Sequence, residues 1–293
     1  MINRADDDVL IRAMPFVFVL IWSSGFIVAR YGMPLAPPMS FLTLRYIFSI
    51  LCLLLWITVA RVSWPNTCAQ WLHLSVTGLL MHGGYLGGVW IAVKAGMGSG
   101  LVALIVGLQP VLTAFWLSFT GGNITRRQWT GLMLGFTGLV LVVSRKFGAG
   151  VEATLYTLSF ASLALLSITT GTLYQKRYVE SCDVRSANTV QLMAALVVTL
   201  PFALLESEAI QWTTEFIAAM AWSVLVLTIG GSSLLYILIQ RGAATAVTSL
   251  LYLVPPTTAL MAWMIFAEPI TMITIIGTAL TAIGVSIVVK PVR

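Results

Sequence analysis

Ser40-Phe41-Leu42-Thr43-Leu44-Arg45-Tyr46-Ile47-Phe48-Ser49-Ile50-Leu51-Cys52-Leu53-Leu54-Leu55-Trp56-Ile57-Thr58-Val59-Ala60 carries a single charged side chain, Arg45. A helix rises about 1.5 Å per residue, so about 20 apolar residues cross the hydrocarbon core of a bilayer. A membrane strand needs only about 9–11 residues and alternates in polarity. The run neither alternates nor stops early. A transmembrane helix is expected, and an outer-membrane barrel is rejected.

Outward from this stretch the pattern recurs. Spans are predicted at 13–30, 40–60, 72–94, 98–119, 128–144, 152–175, 185–205, 215–240, 243–265 and 270–289. Their connections are marked by Met33-Pro34 with Pro37-Pro38, Trp64-Pro65-Asn66, Gly121-Gly122-Asn123 and Glu268-Pro269. Composition agrees: 293 residues are 59% apolar and 9% charged, with a mean hydropathy of +0.96. A soluble globular chain has about 25% charge. The expectation is an all-α polytopic membrane protein of ten transmembrane helices.

The net charge is +6, yet the 16 basic residues are scattered between apolar runs. They form no stripe that tracks phosphates, so nucleic-acid binding is not expected. Topology explains the surplus, because basic loops are retained on the cytoplasmic side. With the N-terminus inside, Arg4, Arg12, Arg61, Arg126, Arg127, Lys176, Arg177, Arg185, Arg241, Lys290 and Arg293 lie inside. Only Arg30, Lys94, Arg145 and Lys146 lie outside. Both termini are expected to be cytoplasmic. Asp6-Asp7-Asp8 precedes the first span and no small-residue cleavage site follows it, which favours a retained helix over a signal peptide. Cys52, Cys68 and Cys182 lack metal-ligand spacing and read as structural or free thiols.

Sliding the chain along itself by 146 residues, without gaps, pairs Gly25 with Gly171, Gly84 with Gly230, Gly96 with Gly242, Gly131 with Gly277 and Gly138 with Gly284. Roughly one glycine coincidence is expected by chance. Pro110 also meets Pro256, Ser23-Ser24 meets Thr169-Thr170, Arg30 meets Lys176 and Trp90 meets Tyr236. The chain reads as two five-helix repeats, 1–147 and 148–293. An odd helix number inverts the second copy in the membrane, a construction of secondary transporters.

The layout resembles the drug/metabolite transporter superfamily, in particular its EamA-type ten-helix exporters. The resemblance is carried by Gly98-Ser99-Gly100-Leu101-Val102-Ala103-Leu104-Ile105-Val106-Gly107-Leu108-Gln109-Pro110, by Phe41-Leu42-Thr43-Leu44-Arg45-Tyr46, and by Pro255 through Glu268-Pro269 to Gly277 and Gly284. It covers essentially the whole chain and is strongest toward bacterial exporters of aromatic amino acids and methyl viologen. That implies a bacterial-type plasma (inner) membrane. Asn123 departs from the pattern: many members carry there the acidic residue that Glu268 supplies in the second half. A matched acidic pair is therefore not expected.

Ionisable groups at membrane depth are functional candidates. No carboxylate falls within a predicted helix interior, which leaves Arg45 and His82. His82 and Tyr85 share one face of the third span, amid Gly83, Gly84, Gly87 and Gly88. Those glycines either pack helices closely or open space for a ligand. Arg45, about one and a half turns into the second span, either snorkels to the interface or pairs with a substrate carboxylate. Gln191 is its counterpart in the repeat. Pro110, Pro255 and Pro256 interrupt the fourth and ninth spans as kinks or hinges, with Gln109 and Tyr252 nearby. Trp22, Ser24 and Trp90 complete the candidate cavity, with core packing or bonding to their own helices as the alternative.

The expected function is secondary export of small metabolites, amino acids including aromatic ones, by alternating access at a midplane cavity. A multidrug or quaternary-cation exporter and a non-transporting receptor or scaffold are the alternatives. No catalytic residue, metal or cofactor is expected: neither a His-Glu-x-x-His nor a Gly-Lys-Ser/Thr motif occurs. The partners are a small-molecule substrate and the lipid bilayer. Oligomeric state stays open, and a monomer is compatible with the sequence.

Overall fold

Helix starts follow local hydrogen-bonding chemistry. Thr67, Thr154, Asp183 and Thr213 each offer a side-chain oxygen to a backbone N–H in the first turn of the helix that follows. These groups satisfy donors that a helix start otherwise leaves unpaired. The computed structural model describes residues 4–119, 125–146, 152–231, 234 and 253–289. Among the described residues the chain is helical, without an extended strand.

The elements are α1 (Arg4–Gly32), α2 (Pro38–Ala60), α3 (Cys68–Lys94), α4 (Ser99–Val106), α5 (Gln109–Phe119), α6 (Arg126–Lys146), α7 (Leu155–Tyr178), α8 (Val184–Leu205), α9 (Thr214–Gly231), α10 (Val254–Phe266) and α11 (Met272–Val289). Helices α2, α3, α7, α8 and α9 are each long and apolar enough to cross a membrane. Shorter apolar stretches complete the set at Phe16–Gly32, Ser99–Thr113, Trp129–Ser144, Val254–Phe266 and Met272–Ile287. Leu155 and Leu205 are more than four-fifths exposed, and Val59 and Leu204 nearly so. So many exposed large apolar side chains suit hydrocarbon, not water.

The predicted first span, 13–30, lies within the longer helix α1, whose apolar stretch is Phe16–Gly32 and whose opening turns hold Asp6-Asp7-Asp8. One expectation needs correction. The predicted span 98–119 is two pieces, because the chain turns at Gly107-Leu108 before restarting at Gln109. Pro110 is the second residue of α5, where its missing N–H costs nothing.

Two stretches are wound as π-helix, Leu79–Leu86 inside α3 and Trp222–Gly231 at the end of α9. Such wider turns often mark functional positions in helices. Close packing elsewhere relies on glycine. A side chain at Gly138 would strike Gly277 and Thr281, and one at Gly284 would strike Gly131 and Gly135. Helices α6 and α11 thus meet backbone to backbone.

Candidate functional site

Arg45 lies seven residues into α2 and is 6% exposed. It does not snorkel. Its Nε donates to Thr228 Oγ1 in the π-helical part of α9 at 3.1 Å, and its Cζ stands 5.6 Å from the centre of the Trp90 ring. Thr228 Oγ1 in turn donates to the Ser223 carbonyl five residues earlier, 2.9 Å away. Tyr46 and Tyr85 lie within electrostatic reach of the guanidinium. Among the described residues no carboxylate contacts it.

On the other side of this cluster, Tyr46 Oη donates to the His82 carbonyl at 2.7 Å, and the two rings meet edge to face at 6.1 Å. The His82 side chain faces the Gln191 side chain and lies within electrostatic reach of Arg45. The fold therefore brings Arg45, His82, Tyr85, Trp90 and Gln191 together, from α2, α3 and α8, and adds Tyr46 and Thr228. The pairs Arg45–Thr228 and Gln191–His82 share one arithmetic: adding 146 to 45 gives 191, and adding 146 to 82 gives 228. Thr228 was invisible to a search for ionisable groups. The internal register, which pairs Thr228 with His82, is the signal that could have found it.

The four glycines around His82 divide by task. A side chain at Gly84 would collide with Ser167, and one at Gly88 with the Phe160 carbonyl and Ala164, so both hold α3 against α7. Nothing lies within 4 Å of the same position on Gly83. Close packing and open space are both present, on different sides of one helix.

The other candidates lie apart from this cluster. Trp22 packs on Phe18 at 5.3 Å. Ser24 donates to its own helix at Ile21 O, 2.7 Å, and accepts from Trp222 Nε1 at 2.9 Å. Thr169 and Thr170 likewise bond back to Leu165 and Leu166. Gln109 donates to Thr172 Oγ1 at 3.0 Å. Pro255 and Pro256 fall in the first turn of α10, and the Pro255 ring faces Gly107, so the interruption between α4 and α5 abuts the start of α10. Tyr252 lies outside the described residues.

One end of the bundle is tied by carboxylates that the search for buried charge passed over. Glu268 accepts from Ser99 N and Oγ at 3.1 and 3.0 Å and pairs with Arg30 at 3.0 Å. Glu206 accepts from Met39 N, Ser40 N and Ser40 Oγ, capping α2. Lys94 bridges Met33 O and Glu208 at 2.8 and 2.6 Å. Among the described residues no three His, Cys, Asp or Glu side chains converge as metal ligands do.

The family model described as "EamA-like transporter family" matches residues 12–144 and again residues 155–290. This chain belongs to the EamA-like transporter family. The transporter is 26% identical over 275 residues to the transporter YvbV of Bacillus subtilis (strain 168), covering 92% of this chain and 88% of that one. It is 26% identical over 286 residues to the "Probable amino-acid metabolite efflux pump" of Salmonella typhimurium (strain LT2), covering 94% and 93%. A crystal structure superposes with a TM-score of 0.64 at 16% identity, over 94% of this chain and 95% of that one; at that identity the likeness is one of fold. The EamA-like domain is thus duplicated, and the transporter is a multi-pass membrane protein of the drug/metabolite class.

Proposed function

We propose that this transporter exports small amphipathic metabolites, amino acids including aromatic ones, by alternating access at a midplane site. Ten helices in two inverted five-helix repeats, 1–147 and 148–293, with both termini cytoplasmic, form the machine. The observation that carries the reading is the pair of contacts Arg45–Thr228 and Gln191–His82, equivalent under the 146-residue register and located on the two π-helical stretches. Polar groups in corresponding half-positions are how inverted-repeat carriers build a binding site. The relative called an amino-acid metabolite efflux pump supports both the direction and the substrate class.

The site's only fixed charge among the described residues is the Arg45 guanidinium, which opposes a permanently cationic drug and suits a zwitterion. Alternating access follows from similar halves: exchanging their conformations opens the site to the other side at little energetic difference. Two energy sources fit, downhill release and proton exchange through His82, the sole imidazole of the cluster.

Purified protein in proteoliposomes tests this. Counterflow of labelled phenylalanine, absent from empty vesicles, is expected. If methyl viologen exchanges and no amino acid does, the substrate reading is lost. Insensitivity of the flux both to an imposed pH gradient and to His82→Asn would exclude proton coupling.

A further inference from the structure

We infer that Arg45, with the indole N–H of Trp90 beside it, is the anchor for a substrate carboxylate. This rests on the exporter reading above and narrows it to ligands with a carboxylate head.

The donors are built into the protein and unused by it. Arg45 is 6% exposed and Trp90 1%, yet Arg45 Nη1 and Trp90 Nε1 have no hydrogen-bond partner among the described residues. Burying such a group without an acceptor costs free energy comparable to a lost hydrogen bond, and far more when the group is charged. The two donors are neighbours, since Arg45 Cζ lies 5.6 Å from the Trp90 ring centre. Thr228 holds Nε at 3.1 Å and thereby fixes the plane of the guanidinium.

Among the described residues no carboxylate serves Arg45 as a counter-ion. Glu268 is committed to Arg30 and Ser99, Glu208 to Lys94, Glu206 to the start of α2, and Asp183 to Arg185. Asp6-Asp7-Asp8 occupies the end of α1 opposite Arg30. The stretches 120–124, 147–151 and 235–252 contain neither Asp nor Glu in their sequence. An uncompensated guanidinium in a membrane helix is expensive, and a guanidinium matches carboxylate geometry better than an ammonium does. A ligand carboxylate bonded to Nη1 and to Nε1 would satisfy both donors and neutralise the charge together. Gly83, with open space where a side chain would be, directly follows His82 in α3.

The test uses the full chain in proteoliposomes with four related probes as competitors of labelled phenylalanine counterflow: phenylalanine, 3-phenylpropionate, phenylalaninamide and 2-phenylethylamine. Phenylalanine and 3-phenylpropionate, which keep the carboxylate, are expected to compete at least about ten-fold better than the amide and the amine. Arg45→Gln should erase the difference between acid and amide, and Arg45→Lys should keep part of it. Trp90→Phe keeps an aromatic ring and removes the donor, so it should weaken the acid several-fold and leave the amide unchanged. If Arg45→Gln is not monodisperse by size exclusion, the wild-type series and Trp90→Phe decide. Equal competition by acid and amide in the wild type overturns the anchor and leaves amino-acid-like export standing. Absence of phenylalanine counterflow, with methyl viologen exchanged, overturns the exporter reading and the anchor together.

Discussion

Arg45 and Thr228 are 183 residues apart and joined by one hydrogen bond of 3.1 Å, from a guanidinium on α2 to a hydroxyl on the π-helical part of α9. Displacing both ends by 146 residues leads to Gln191 and His82, whose side chains also face each other. The correspondence supports two similar halves facing each other across the site. Thr228→Val removes the acceptor and leaves a buried charged donor with less compensation, at a cost of about 1–3 kcal/mol. Thermal unfolding of the purified protein should show the loss. Gln191→Leu should cost less, because His82 is only half-buried. An unchanged melting temperature for Thr228→Val would mean that the bond contributes nothing.

The glycines of α3 should separate stability from transport. Gly88→Ala places a methyl 2.6 Å from the Phe160 carbonyl, and should destabilise by about 1–3 kcal/mol as α3 is pushed from α7. Gly83→Leu adds a Cβ that meets nothing within 4 Å. It should leave the melting temperature nearly unchanged and depress flux if the open side of α3 faces the substrate path. Normal flux from a stable Gly83→Leu protein would place that path elsewhere.

Glu268 joins α1, α4 and the end of α10 through Arg30 and Ser99. Its side chain is 11% exposed, against 33% for Arg30, so the pair is partly shielded from solvent. Glu268→Ala strands the Ser99 N–H and the guanidinium, with an expected loss of about 1–3 kcal/mol. Glu268→Gln keeps an acceptor for Ser99 and should lose less. Equal losses in the two variants would show that charge, and not hydrogen bonding, holds this end.

Asp183 precedes α8, and the side-chain bonds from Arg185 hold its carboxyl below the usual carboxylate range. A carboxyl depressed in the folded state stabilises fully above its unfolded value, near pH 4, and that stabilisation fades as the pH falls through the lower folded value. Asp183→Asn keeps a side-chain acceptor for the helix start and removes only the charge. The gap in melting temperature between wild type and Asp183→Asn should be constant from pH 7 to about pH 5 and close in more acidic buffer. A gap that widens on acidification would contradict the sign.

Much of the architecture was legible before any coordinates. Run length and the absence of alternation are local properties, which is why α2, α3, α7 and α8 start and end within a few residues of their predicted bounds. The split between α4 and α5 was legible only in part: Pro110 announced a break, but the turn falls at Gly107-Leu108, since proline is tolerated in the first turn of a new helix. The candidate site was half legible. Arg45, His82, Tyr85, Trp90 and Gln191 stand together, whereas the Ser24 hydroxyl is spent on its own helix and on Trp222.

By itself, the sequence determined that the chain is helical, apolar enough for a bilayer, internally repeated, and without acids in the interiors of its predicted spans. Those properties depend on residue type and spacing along the chain. Only the tertiary structure decided that Gly84 and Gly88 pack while Gly83 does not, that Glu268 binds Ser99 as well as Arg30, and that Arg45 is buried beside Trp90 instead of snorkelling. The reason is geometric: a helix's rotation and its distance from its neighbours choose each side chain's partner, and neither is encoded in the period of a single helix.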